Sequence, residues 1–457
     1  MPLHNTNSNS NSYSRNKSVK GKSRDNTPVP ESAIPNRALK TPGLITLDGR
    51  TLEGGGQLVR VALTLSALLS IPVYIHHIRG KRASRGKTGG LKESHLAALE
   101  FLRDACGAEV YGAEVGGTEV VFLPGREGRR QEQKDNADST GCHVIELRNP
   151  GSVWLIFQAI YPFLLFRGRV HGADAGTDTI QLTIRGGTNV SMSMSAEYVQ
   201  QVFLPTMEKI GLDGTTVRIN KRGWTHGRIE VGEVEVVVTP LPPTGRLAGF
   251  KVKGMGETAD RNVVEKITIS AIASPAAVLE HLVEVALERA REQFPDADEV
   301  EVEVREDSGD SRRMYLMLVA HLLDGWRIGR DWLFDGKMKN TDGKVIAKQM
   351  VQRVAMDLSM EVERGGYVDE FMQDQLVIFQ ALAAGQSEVD AGIGREQGTE
   401  HTRTVRWVVE QMLEKEMFAG AVVDGCGLTV GSKRAAEPAQ ADDDTLTSRM
   451  GEVSWED

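Results

Sequence analysis

One pattern limits the fold of this chain more than any single motif does: a helix–strand–helix–strand–strand order that recurs. A helix-like segment at 57–69 leads into a strand-like run at 72–78, a second helix at 91–106 and short strands at 109–110 and 118–123. In that second helix Leu91, Leu96, Leu99 and Leu102 recur at roughly helical spacing. The order returns as a helix at 152–166, an alternating strand at 179–184, a helix at 197–210 and strands at 217–219 and 231–238. It returns again as a helix at 368–384, an extended run at 387–391, a helix at 402–417 and strands at 421–423 and 428–430. Each such unit buries one sheet face under two helices, so three of them predict a composite α/β (α+β) body with pseudo-threefold organisation.

Pro240, Pro242 and Pro243 interrupt the second and third copies and open a stretch, 241–345, with its own helix at 276–291 and strand at 299–304. This predicts a small inserted α/β subdomain. The expected divisions are a tail at 1–42, body repeats one and two at 43–240, the insert, the third repeat at 346–431 and a tail at 432–457. The first tail is rich in Asn, Ser, Lys and Pro and carries seven basic against two acidic residues. The last carries three basic against seven acidic. Neither composition buries enough apolar surface to fold alone. The basic stretch 17–24 reads as a nuclear-import signal or as a plain solvated tail, and nuclear localisation is the expectation carried forward.

Charge and cysteine usage exclude several classes. The net charge is −9, which argues against a protein that coats duplex DNA, though not against a local basic site. Three cysteines, Cys106, Cys142 and Cys426, make no disulfide framework, so a reducing compartment is expected. The longest apolar run, 153–166, is broken by Gln158 and Pro162 and falls short of a membrane span.

Three stretches carry chemistry. At 47–60 three glycines, Gly54 to Gly56, precede a helix, with Glu53 beside them and Arg60 one turn in. Free backbone N–H groups at such a start attract anions, so the set suits a metal–nucleotide complex, or else a plain turn and cap. At 79–87 the loop holds Arg79, Lys81, Arg82, Arg85 and Lys87, a phosphate or RNA-end clamp or a solvated basic loop. It ends in Gly86-Lys87-Thr88 like a P-loop, but Lys81 stands where that motif needs glycine. At 374–401, Asp374 and Gln375 lie on a helix and His401 follows at the start of another. A helix dipole favours the neutral, nucleophilic imidazole, and a carboxylate can orient it; a capping or solvated histidine is the plainer reading. His76, His77 and His95 match no zinc spacing and were not expected to ligate metal.

Taken together, these stretches resemble the RNA 3′-terminal phosphate cyclase family. The matching pieces run in family order: Asp48-Gly49, the Glu53–Arg60 string, Ile78–Arg82, Gly90-Leu91, His95-Leu96, Gly151-Ser152 with Gln158, 186–188, 374–376 and His401. The resemblance implies three repeated units, each with two helices on a four-stranded sheet, plus a small inserted domain. It implies ATP-dependent conversion of an RNA 3′-phosphate to a 2′,3′-cyclic phosphodiester, through a histidine–AMP and then an RNA(3′)pp(5′)A intermediate. By position, His401 is then the nucleophile, and Glu53 holds the metal–ATP complex, the metal being Mg²⁺ or Mn²⁺. Arg60, Gln158, Asp374 and Gln375 border the nucleotide. Arg79 and Arg82 bind phosphates of ATP or the RNA end. The partner is an RNA bearing a 3′-phosphate, with neither membrane nor duplex DNA implied. A non-catalytic branch acting in pre-rRNA processing shares the fold but lacks the histidine, so His401 favours the catalytic branch. Phosphates are expected near Gly54 to Gly56 and near Gly186-Gly187. The chain departs from the family pattern at Glu93-Ser94, at Asn189 with 191–195, at 226–232 and at Phe371; Tyr198 offers an aromatic ring in compensation.

Overall fold

The helix Gly56–Leu69 is the centre of the body. Every residue from Gln57 to Leu69 is buried, so its polar members need partners inside the body: the Thr64 hydroxyl donates to the Arg60 and Ala159 carbonyls and the Ser66 hydroxyl to the Ile71 carbonyl. It packs against the helices Glu93–Cys106, Val153–Arg167 and Glu400–Leu413. Gly55 enters it in an extended conformation, and Ser70 ends it in the left-handed region. The computed structural model describes residues 34–84, 89–125, 142–167, 179–254, 263–334, 336, 341–418, 420 and 422–430. Arg85, Lys87, the 86–88 triplet, the import-like stretch 17–24 and the tail 432–457 lie outside the described residues.

Strands flank these helices in small mixed sheets. The first sheet runs Ile45–Asp48, Val73–His76, Val120–Leu123, Glu109–Tyr111. Its first pair is parallel and the other pairs antiparallel. The second sheet runs His143–Glu146, Ile180–Gly186, Gly232–Val238, Thr215–Lys221 with the same alternation. In the third, Lys251–Val252 pairs parallel with Gln386–Val389, which pairs antiparallel with Val422–Asp424. A fourth strand at 428–430 does not form. Leu428 N–H instead bonds the Leu382 carbonyl at 3.0 Å, closing the end of helix Glu370–Leu382.

The insert is larger in secondary structure than its sequence advertises. Its sheet runs Glu299–Asp307, Val264–Ala273, Tyr315–Leu322, Arg327–Leu333. The helices Ala276–Gln293 and Gly343–Glu363 pack together, each also against strands of that sheet. The expected boundary at 346 therefore cuts a helix. Ile346, Met350, Val354 and Leu358 form its buried stripe and tie it to the insert. At the other end, Lys251–Val252 was assigned to the insert but completes the third sheet. The expected tail likewise ends early. Residues 36–39 are helical, and Ile34 just before that helix and Ala38 within it bury against Val121. Among the described residues no helix is long and apolar enough to cross a membrane.

Candidate active site

The glycine-rich string, the basic loop, the 374–375 pair and the His401 helix meet at the N-terminal end of the central helix. Glu53, Gln57, Arg60, Arg79 and His95 are all buried there. The glycines make the space. A Cβ on Gly55 would lie 2.0 Å from Glu53 Oε1, and one on Gly56 would lie 2.5 Å from His95 Nε2. Any side chain at either position would evict a functional group.

Cations outnumber anions in this pocket. Arg82 donates to Glu53 Oε1 at 2.7 Å. Arg79, held in the left-handed region at φ 54°, donates to the Gly90 carbonyl at 3.0 Å. Arg60 donates from Nε to Gln158 Oε1 at 2.8 Å and from Nη2 to Gln57 Oε1. Burial pushes the Arg60 guanidinium down to about 10, against the pull of Asp374 and Glu53. Burial, then the neighbouring Arg82, also lowers Arg79. Buried Arg60 and Arg79 and half-buried Arg82, against two carboxylates, Glu53 and Asp374, leave a surplus of positive charge, which a phosphate group would neutralise.

Glu53 has one oxygen to spare. Its Oε1 takes Arg82, while Oε2 is buried without a hydrogen-bond partner. An orphaned carboxylate oxygen fits a hard divalent cation, and the surrounding arginines favour one that arrives with phosphates. The residues present therefore suit a metal–nucleotide complex.

A relay of side chains runs from Arg60 into the third repeat. Gln158 donates to Gln375 Oε1 at 2.8 Å, and Gln375 donates to Asp374 Oδ1. Burial pushes the Asp374 carboxyl up to about 7, with Gln375 and Arg60 pulling it down. A cavity of about 20 Å³ lies among Gln57, Arg60, Gln158, Asp374 and Gln375, room for one water. No hydrogen bond joins Asp374 to His401 among the described residues, so the carboxylate expected to orient the histidine faces Arg60 instead.

His401 reaches the site through its helix. Thr399 caps that helix, accepting the Thr402 N–H at 3.2 Å. One turn after His401, the buried Thr404 hydroxyl accepts the backbone N–H of Glu53 at 3.1 Å. That bond docks the His401 end of the helix against the loop carrying Glu53.

With this geometry in view, comparison with known proteins is decisive. A family profile described as RNA 3′-terminal phosphate cyclase matches residues 51–418. The chain belongs to the RNA 3′-terminal phosphate cyclase family. A Pyrococcus furiosus protein of that name is 30% identical over 379 residues, 81% of this chain and 94% of its own. A Dictyostelium discoideum protein named "Probable RNA 3′-terminal phosphate cyclase" is 27% identical over 384 residues, 83% of this chain and 79% of its own.

Several positions that the resemblance singled out carry packing or polar contacts in the fold. Gly186 and Gly187 allow close chain packing: a Cβ on either would sit 2.6 Å from the Gly151 carbonyl or 2.5 Å from that of Pro150. Tyr198 is buried and donates to Asp369 at 2.7 Å, so its ring is spent on packing. Phe371 stays half exposed, with the Arg330 guanidinium 4.6 Å from its ring centre. The departure at Asn189 has a structural reason, since it donates to Glu197 at 2.8 Å beside the 2.6 Å Glu197–Arg222 ion pair.

Sequence reasoning missed Gln57 and His95 as site residues. The backbone N–H of Lys92 donates to His95 Nδ1 at 3.1 Å. Burial, then Arg60, Arg79 and Lys92, hold the ring well below the usual imidazole range. A neutral ring accepting at Nδ1 carries its proton on Nε2, the nitrogen beside Gly56. The signal was present in the His95-Leu96 pair, but its distance from Arg60 in sequence hid the contact.

Proposed function

We propose that this protein uses ATP to convert an RNA 3′-phosphate into a 2′,3′-cyclic phosphodiester, with His401 as the nucleophile. A 3′-phosphate is a poor electrophile, because its oxygens leave badly and its charge repels nucleophiles. Attack of the His401 imidazole on the α-phosphorus of ATP breaks the bond to the β-phosphate and releases pyrophosphate. An oxygen of the RNA 3′-phosphate then takes the adenylyl group from the histidine. Finally the neighbouring 2′-OH attacks the 3′-phosphorus, loses its proton, and AMP leaves. One hard displacement becomes three easier ones.

The residues divide the work by position. Arg60, Arg79 and Arg82 neutralise phosphate charge. Gln158, Asp374 and Gln375 border the nucleotide. Glu53 would hold a divalent cation, Mg²⁺ or Mn²⁺, whose chemistry when bound is charge neutralisation on the phosphates. The observation that carries this reading is the surplus of arginine beside an orphaned buried carboxylate oxygen, with the His401 helix docked on the same loop.

The test is direct. The full chain, ATP, Mg²⁺ or Mn²⁺ and an RNA with a 3′-phosphate should give an end resistant to alkaline phosphatase. The matching DNA 3′-phosphate should stop at a DNA(3′)pp(5′)A end, identified by its retained AMP, because it lacks the 2′-OH that closes the ring. RNA binding without cyclisation under both metals would place the chain with non-catalytic relatives. Arg82→Ala should lower cyclisation by about 10²-fold or more, and Arg82→Lys should restore only part, since a lysine lacks the planar fork. Unchanged rates for Arg82→Ala would reduce the basic loop to a surface feature.

A further inference from the structure

Asp48, His76 and His77 lie outside the site described above and come together where two parallel strands end. Asp48 closes Ile45–Asp48, His76 closes Val73–His76, and the two are register partners. Side chains of successive residues in an extended strand point to opposite faces, which would part His76 from His77. His77 instead adopts φ 50°, in the left-handed region, and its ring turns back beside that of His76. The two Nδ1 atoms are 2.6 Å apart, and His77 Nδ1 is 3.7 Å from Asp48 Oδ1. All three ligand atoms fall within 4.8 Å of one another.

We infer that Asp48, His76 and His77 form a binding site for a borderline-soft divalent cation, Zn²⁺ being the preferred probe. Two imidazole nitrogens and one carboxylate suit Zn²⁺, Ni²⁺ or Cu²⁺, not Mg²⁺ or Ca²⁺, which want all-oxygen shells. Zinc–nitrogen bonds of about 2.0–2.1 Å at a tetrahedral angle put the two nitrogens about 3.3 Å apart. The rings need open by only about 0.7 Å, and the half-exposed His77 ring has room for that. A cation at both Nδ1 atoms replaces the hydrogen bond between them, and the donor ring then carries its proton on Nε2. Binding also exchanges a partner on Asp48, whose Oδ1 now takes Arg50 Nε at 3.0 Å.

The location gives the site a consequence. Asp48 stands at the root of the loop that carries Glu53, and His76-His77 at the root of the one that carries Arg79 and Arg82. The two roots already touch, with Gly49 N–H on the His76 carbonyl at 2.8 Å. A cation joining them would cross-link both loops at their base, leaving the phosphate-facing groups free.

Calorimetric titration of the full chain with ZnCl₂, without nucleotide, tests this. The expected result is one tight equivalent, weakened at least about 10²-fold in the His76→Ala/His77→Ala double variant and retained in Glu53→Gln. A rise of roughly 3 °C or more in Tm with Zn²⁺ should also vanish in the double variant. Both variants should match the parent in circular dichroism without metal. No site tighter than about 10 μM, binding unchanged in the double variant, or binding lost in Glu53→Gln would each overturn the assignment.

Discussion

With α-labelled ATP and a divalent metal, the intact protein should acquire acid-labile, hydroxylamine-resistant label, and His401→Ala should lose it by at least about 10³-fold. That label signature belongs to a phosphoramidate, the bond a histidine nucleophile forms with an adenylyl group. The substitution is clean for structural reasons. His401 lies in the first turn of Glu400–Leu413, and alanine is the best helix former. The cap is made by Thr399 with Thr402, and the docking bond by Thr404 with Glu53. None of these uses the imidazole. Lost labelling with retained Tm would therefore report the missing nucleophile and not a displaced helix. Acid-stable label, or label surviving in His401→Ala, would move the covalent step to another residue.

What the sequence made legible was whatever packs locally. The central helix was readable at 57–69 because it is dense in Leu, Val and Ala with neither Gly nor Pro inside it, and the structure adds only Gly56 at its start. The insert was read poorly. Tyr315–Leu322 is nearly all buried and apolar, so it shows no alternation, and a short apolar run does not tell strand from helix. The helix Gly343–Glu363 went unread although its stripe of Ile346, Met350, Val354 and Leu358 recurs every four residues.

The site divides along the same line. Gly54 to Gly56 with Glu53 and Arg60 form one contiguous string, and the basic loop forms another, so both could be named from residues alone. The Arg60–Gln158–Gln375–Asp374 relay joins three helices far apart in sequence. Arg60, Asp374 and Gln375 could be named from the residues and Gln158 from the resemblance, but only the fold shows that Asp374 answers Arg60 and not His401. His76 and His77 were dismissed on spacing, because one left-handed residue is invisible to any spacing rule.

Asp374 yields the second large effect, on stability against pH. Its folded pKa of about 7 stands above the ordinary 3.8, with burial as the main cause. Between about pH 4 and pH 7 the folded state then holds a proton that the unfolded chain has released. Stability must fall as pH rises through that window, by a total of the order of 4 kcal/mol from this group. Asparagine mimics the protonated carboxyl and has nothing to ionise. Asp374→Asn should therefore match the parent near pH 4 and exceed it by a few kcal/mol at about pH 8, read from urea midpoints across the range. An identical pH slope in both proteins would mean that Arg60 keeps the carboxylate charged throughout. Under the proposed function, which sets Asp374 at the border of the nucleotide beside Arg60, the same variant should cyclise RNA more slowly. A more stable, less active protein is the expected outcome where a buried acid is retained for what it does, at the expense of the fold.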